Sequence, residues 1–144
     1  MERREFIQTS CNACLLVAAG YLLPSLAACG TQASVLKADI VNDKVMLPAS
    51  RFAQPSIQMV RPRGWLYDIA VEKNEENNFR ALLMQCTHQE NQLTQQGNGF
   101  HCSLHGSQFD KEGRVVKGPA ERPLKQFPVS IENDQLIIHI NAHP

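Results

Sequence analysis

Apolar and polar residues alternate along much of this chain with a period of two. In Trp65-Leu66-Tyr67-Asp68-Ile69-Ala70-Val71 the bulky residues Trp65, Tyr67, Ile69 and Val71 recur at every second position. That is the pattern of a strand with one buried face. Leu136, Ile138 and Ile140 repeat it near the C-terminus, with Ile137 and His139 on the opposite face. Residues 35–41, 44–47, 57–60, 79–85 and 127–131 are further predicted strands. Turn-forming residues separate them: Asn42-Asp43, residues 62–64, 73–78, Gly97-Asn98-Gly99, 110–113 and Asn133-Asp134. After the N-terminal region no stretch of any length carries a helical period. The predicted class is all-β, a small sandwich or partial barrel.

The first thirty residues break this pattern. A polar start, residues 1–5, precedes a nearly uncharged stretch rich in Leu, Ala and Val that ends at Cys29. This is the layout of an export signal. Arg3-Arg4-Glu5-Phe6-Ile7 resembles a twin-arginine signal, a route for proteins that are already folded, and Leu26-Ala27-Ala28-Cys29 resembles a bacterial lipobox. These resemblances imply a signal over residues 1–28, a lipid on Cys29, a short tether over 29–34 and a periplasmic or cell-envelope location. A retained N-terminal membrane helix is the alternative, although Gly20 and Pro24 make that span a poor one. Cys11-Asn12-Ala13-Cys14 has redox-motif spacing but lies inside the apolar signal, where the spacing is incidental.

Composition narrows the function. The 144 residues, 43% apolar and 19% charged, suit one globular domain. Fourteen basic residues balance fourteen acidic ones, and no basic patch interrupts the chain. Nucleic acid is therefore excluded as a partner. Of five cysteines only Cys86 and Cys102 follow the N-terminal region. Two cysteines cannot make a disulfide framework, so the fold must rest on its core or on a metal.

Cys86-Thr87-His88 ends a predicted strand, and Cys102-Ser103-Leu104-His105 follows across the Gly97-Asn98-Gly99 reversal. Each box offers one thiolate and one imidazole, side chains that bind iron and zinc well. The reversal can return the boxes side by side as neighbouring loops. On the residues alone, a Cys86–Cys102 disulfide and a structural zinc site stand beside an iron–sulfur centre. The disulfide leaves the two matched histidines unexplained. Zinc sites usually pair cysteines as Cys-x2–4-Cys, whereas each box here is mixed.

The two boxes, together with Gly106-Ser107 and the run from Phe109 through Pro119-Ala120 to Phe127-Pro128-Val129, resemble the Rieske family over roughly residues 57–141. The resemblance implies a Rieske-type antiparallel β-sandwich over residues 35–144, with a cluster-binding subdomain of two loops at about 85–110. It implies one [2Fe–2S] cluster per chain, with Cys86 and Cys102 on one iron and His88 and His105 on the other. Ser107 matches a hydroxyl that hydrogen-bonds a cluster sulfide, and Pro119 matches the family's proline loop. Replacing two thiolates by neutral imidazoles removes negative charge and raises the potential.

The sequence also departs from the pattern. Asn91 and Leu104 stand where respiratory members carry two further cysteines, Gln89 where they carry an apolar shield, and Phe109 where high-potential members carry a tyrosine. These departures imply a middling potential that falls as pH rises. The expected function is one-electron transfer outside the cytoplasm, with a redox protein or membrane-bound donor or acceptor as partner and a lipid anchor in the membrane. An iron–sulfur subunit of a larger exported oxidoreductase or quinol-oxidising complex is the alternative, and a structural zinc module a further one. On each iron–sulfur reading the chain is an electron carrier rather than an enzyme by itself. His101, His139 and His143 are expected outside the ligand set, Trp65 and Tyr67 in the core, and Asp110 and Glu112 in a turn.

Overall fold

Ile69-Ala70-Val71 and Ala81-Leu82-Leu83-Met84 are apolar without interruption. Such runs belong to strands covered on both faces. The computed structural model, which describes residues 34–74, 76 and 78–140, bears this out: these residues are all buried, in the middle of a five-stranded sheet. The expected signal, Cys29 and His143 lie outside the described residues.

In chain order the strands are β1 (Leu36–Ala38), β2 (Ile40–Val41), β3 (Lys44–Pro48), β4 (Ile57–Pro62), β5 (Ile69–Lys73), β6 (Phe79–Leu83), β7 (Thr94–Gln96), β8 (Gly99–His101), β9 (Gln108–Asp110), β10 (Val115–Lys117), β11 (Gln126–Phe127), β12 (Val129–Glu132) and β13 (Gln135–His139). A 3-10 turn, Ala49–Phe52, follows β3. The central sheet has the order β1-β4-β5-β6-β11. One four-stranded sheet, β12-β13-β3-β2, covers its first face, and another, β10-β9-β8-β7, packs with its second. All pairings are antiparallel except β1 with β4.

Alternation sorts the side chains between two cores. Val60, Ile69, Val71, Ala81, Leu83 and Phe127 meet Val45, Leu47, Leu136 and Ile138 in the first. Met59, Ala70, Leu82 and Met84 point the other way, toward Leu93, Phe100, Phe109, Leu124 and the two cysteines. The all-β expectation holds, with the central sheet covered on both sides.

Several strand limits differ from the sequence pattern. The predicted strand over 65–71 begins only at Ile69. Trp65 and Tyr67 still pack on the first core, but Gly64, at φ +83, turns the chain there and Asp68 faces a polar network. Residues 35–41 form two strands, because the chain leaves β4 for β3 at Asp39. Pro128 likewise divides β11 from β12, having no N–H for a ladder. Lys73, expected to open the turn over 73–78, instead ends β5, and beside it the Glu72 carboxylate lies 2.9 Å from Arg80.

Turn chemistry agrees with the backbone. Asn42 and Asp43, and again Asn133 and Asp134, take φ between 48° and 60°, the left-handed pair that a two-residue hairpin loop needs. At the β9–β10 turn, Asp110 accepts the Arg114 backbone N–H at 2.8 Å and its Nε–H at 2.7 Å. Burial alone would push the Asp110 carboxyl up, but the Arg114 side chain and backbone hold it below the ordinary carboxylate range. Asp110→Ala should therefore cost about 1 kcal/mol. A depressed folded-state value means this difference is present in full above the usual carboxylate range and is lost as pH falls through the folded value. Urea unfolding of both proteins at neutral pH and near pH 3 measures it.

Candidate metal centre

Each ligand box is a loop closed on itself. The Cys86 N–H donates to the Asn91 carbonyl at 2.8 Å, and the Cys102 N–H donates to the Ser107 carbonyl at 2.9 Å. Both bonds therefore span the same number of residues, and each loop holds its cysteine at the start. The second is tightened by Gly106, whose φ of +78° suits glycine and whose N–H returns to the Cys102 carbonyl at 3.0 Å.

The fold brings these loops together. Cys86 and Cys102 are each only 1% exposed and lie in the second core, both as free thiols. His88 and His105 are exposed, their ring centroids 5.0 Å apart and the rings nearly perpendicular, at 81°. The donor set thus has an inner pair of sulfurs and an outer pair of imidazoles. Among the described residues no three His, Cys, Asp or Glu side chains are gathered closely enough to hold one metal ion. Two pairs suit a two-metal unit better than a single tetrahedral zinc, which needs its ligands around one point.

The surroundings favour thiolate at Cys102. Burial pushes the Cys102 thiol up, but the backbone N–H groups of Leu104 and His105, then the Cys86 and Asn91 side chains, outweigh it and leave the thiol below its ordinary value. Asn91 Nδ2 lies 3.8 Å from the Cys102 sulfur. Ser107 is fully buried, and its Oγ accepts the Ala120 N–H at 3.0 Å, which leaves the hydroxyl hydrogen free to donate elsewhere. That bond ties the second loop to the segment around Pro119, itself exposed and preceded by a cis peptide bond. Thr87 Oγ1 donates to the Arg122 carbonyl at 2.7 Å and ties the first loop to the same segment.

The sequence did not single out the residues that fasten this end of the molecule to the central sheet. Asp68, 7% exposed, takes an ion pair from Arg61 and hydrogen-bonds the Gln92 side chain through both its carboxylate and its own N–H, each at 3.2 Å. Tyr67, read only as core, also donates its hydroxyl to the Glu90 carbonyl at 2.6 Å. Nothing local marks the Asp68–Gln92 and Tyr67–Glu90 contacts, since each joins residues more than twenty positions apart. His101 lies in β8, and the ring of His139 pairs with Ser130 at 2.9 Å. Neither joins the ligand set.

A β-sandwich that presents two closed loops, with cysteines inward and histidines outward, defines a small metal-cluster protein of the electron-transfer class. The family model described as Rieske [2Fe-2S] domain matches residues 34–128, and this chain belongs to that family. Its cofactor is a [2Fe–2S] cluster and its chemistry is Rieske-type electron transfer. The chain is 26% identical over 147 aligned residues to cytochrome b6-f complex iron-sulfur subunit 2 of Nostoc sp. (strain PCC 7120), covering 92% of this chain and 76% of that protein. It is 36% identical over 64 residues to the ferredoxin component of the p-cumate 2,3-dioxygenase system of Pseudomonas putida, covering 41% and 54%. A chain of the hyperthermophilic respiratory Complex III shares the fold, with a TM-score of 0.50, 21% identity and coverage of 94% and 99%.

Proposed function

We propose that this protein carries single electrons outside the cytoplasm, with its cluster held by Cys86 and Cys102 on one iron and by His88 and His105 on the other. When bound, such a cluster accepts and returns one electron at a potential of about −150 to +300 mV. The observation that carries the reading is the division of the four donors into buried thiols and exposed, adjacent imidazoles. The thiols sit among apolar side chains that would exclude water from an iron bound there. The imidazoles leave an edge open to a partner. Gln89 and Leu104, both exposed, flank them and would form the rim that a redox protein touches.

Ser107 would donate its remaining hydrogen to a cluster sulfur, and the Pro119 segment would shield one side. Phe109 brings no hydroxyl to the site, which supports a middling potential.

Export rests on Arg3-Arg4, and anchoring on Leu26-Ala27-Ala28-Cys29. Fractionation of cells expressing the full chain tests both. The protein should be found in the membrane fraction, accessible from outside the cytoplasm, and Cys29→Ser should release it in soluble form. A chain that stays in the cytoplasm overturns export; a membrane-bound Cys29→Ser variant replaces the lipid by a retained helix.

A second reading has its own support. A relative that aligns along 92% of this chain is the iron-sulfur subunit 2 of a cytochrome b6-f complex. On that reading the chain works as the electron-transfer subunit of a quinol-oxidising complex or another exported oxidoreductase. Purification from native membranes separates the two: a partner in fixed stoichiometry favours the subunit, and a lone chain favours the independent carrier.

A further inference from the structure

Asn91 makes hydrogen-bond contacts with both ligand cysteines. Its carbonyl accepts the Cys86 N–H at 2.8 Å, and its side-chain amide lies 3.8 Å from the Cys102 sulfur. It occupies in the first loop the closing position that Ser107 occupies in the second. The amide also reaches the Gln92 carbonyl at 3.2 Å, and the Gln92 side chain is clamped to Asp68. Asn91 is half-buried, so its orientation is set by these contacts more than by solvent. An N–H aimed at a thiolate sulfur gains strength as negative charge on that sulfur grows. Hydrogen bonds to the sulfurs are among the determinants of a cluster's potential.

We propose that Asn91 is a positioning residue that couples the two ligand loops and, through its amide N–H on Cys102, raises the potential of the centre. The inference rests on the ligand assignment above. The side chain stabilises the reduced state more than the oxidised one, because reduction adds one negative charge beside the donor. No titrating group and no additional reactant is involved.

The test uses the purified holoprotein, poised against dithionite and ferricyanide, as wild type, Asn91→Leu and Asn91→Asp. Leucine keeps the approximate size and removes the donor. At a fixed poise its reduced-to-oxidised ratio should fall threefold to tenfold, where tenfold corresponds to 59 mV for one electron. Aspartate, which adds a like charge, should lower it further. Wild type labelled with side-chain [15N]asparagine should show a weak nitrogen coupling in the pulsed paramagnetic resonance spectrum of the reduced state, absent in Asn91→Leu. A ratio unchanged within twofold in both variants overturns the tuning role. If the variants fail to retain the cluster, the labelled wild type decides: a coupling supports the contact, and its absence overturns it. A wild type without iron and sulfide refutes the ligand assignment itself, a different failure.

Discussion

Alanine at Cys86 or at Cys102 should abolish the centre: iron and acid-labile sulfide fall from about two of each per chain to none, with loss of colour and of the paramagnetic signal. Both side chains are buried together, and nothing else within that apolar pocket can supply a soft anionic ligand. The apoprotein should also be less stable, because binding energy at such a site is folding energy. Alanine at His88 or His105 opens the outer pair to water and should leave the cluster labile or absent. Metal and sulfide analysis of anaerobically reconstituted protein decides between readings. Full iron and sulfide in the cysteine variants would refute the ligand set, and one zinc without sulfide would make the wild type a single-ion site.

Phe109→Ala should be the most damaging change away from the donors, costing about 3–5 kcal/mol. Phe109 is 2% exposed and stands directly opposite Phe100 across the β8–β9 pair. Both rings lie in the second core with Leu82, Met84, Leu93 and the two cysteines. Domains of this size are stable by only about 5–15 kcal/mol, so one such cavity removes a large share. Leu104→Ala is the matched control: Leu104 is 53% exposed, and its loss should change stability by less than about 0.5 kcal/mol. Urea unfolding of the holoproteins measures both. Equal midpoints for Phe109→Ala and wild type would mean that the second core does not support the centre.

The same core shows why β8 begins with glycine. A Cβ on Gly99 would collide with the Phe109 carbonyl oxygen across the strand pair. A glycine at this position lets the hairpin approach β9 closely enough to keep the second ligand loop in register. The sequence pattern marked Gly97-Asn98-Gly99 as a reversal, but the demand on Gly99 comes from a partner ten residues further along.

What could be read in advance was what contiguous residues express. Alternation at 136–140 and the Asn-Asp pairs at 42–43 and 133–134 are local, and β13 and both hairpins formed where those signals stood. The donor chemistry was legible too, because two mixed Cys/His boxes are visible without coordinates. The limits of β1, β2, β5 and β11 were not, since they depend on which neighbour each segment leaves and joins. Nor could alternation in 65–71 separate a strand from a turn that merely keeps Trp65 and Tyr67 on the same core.

The chain's own order of residues set the class, the turns and the four donors. Folding in three dimensions set which donors are buried and which meet solvent, and it brought Asn91 to the Cys102 sulfur and Asp68 to Gln92. The physical reason is range. Periodicity and turn propensity act over a few neighbouring residues, whereas exposure, thiol acidity and cross-loop hydrogen bonds arise only when distant segments exclude water between them.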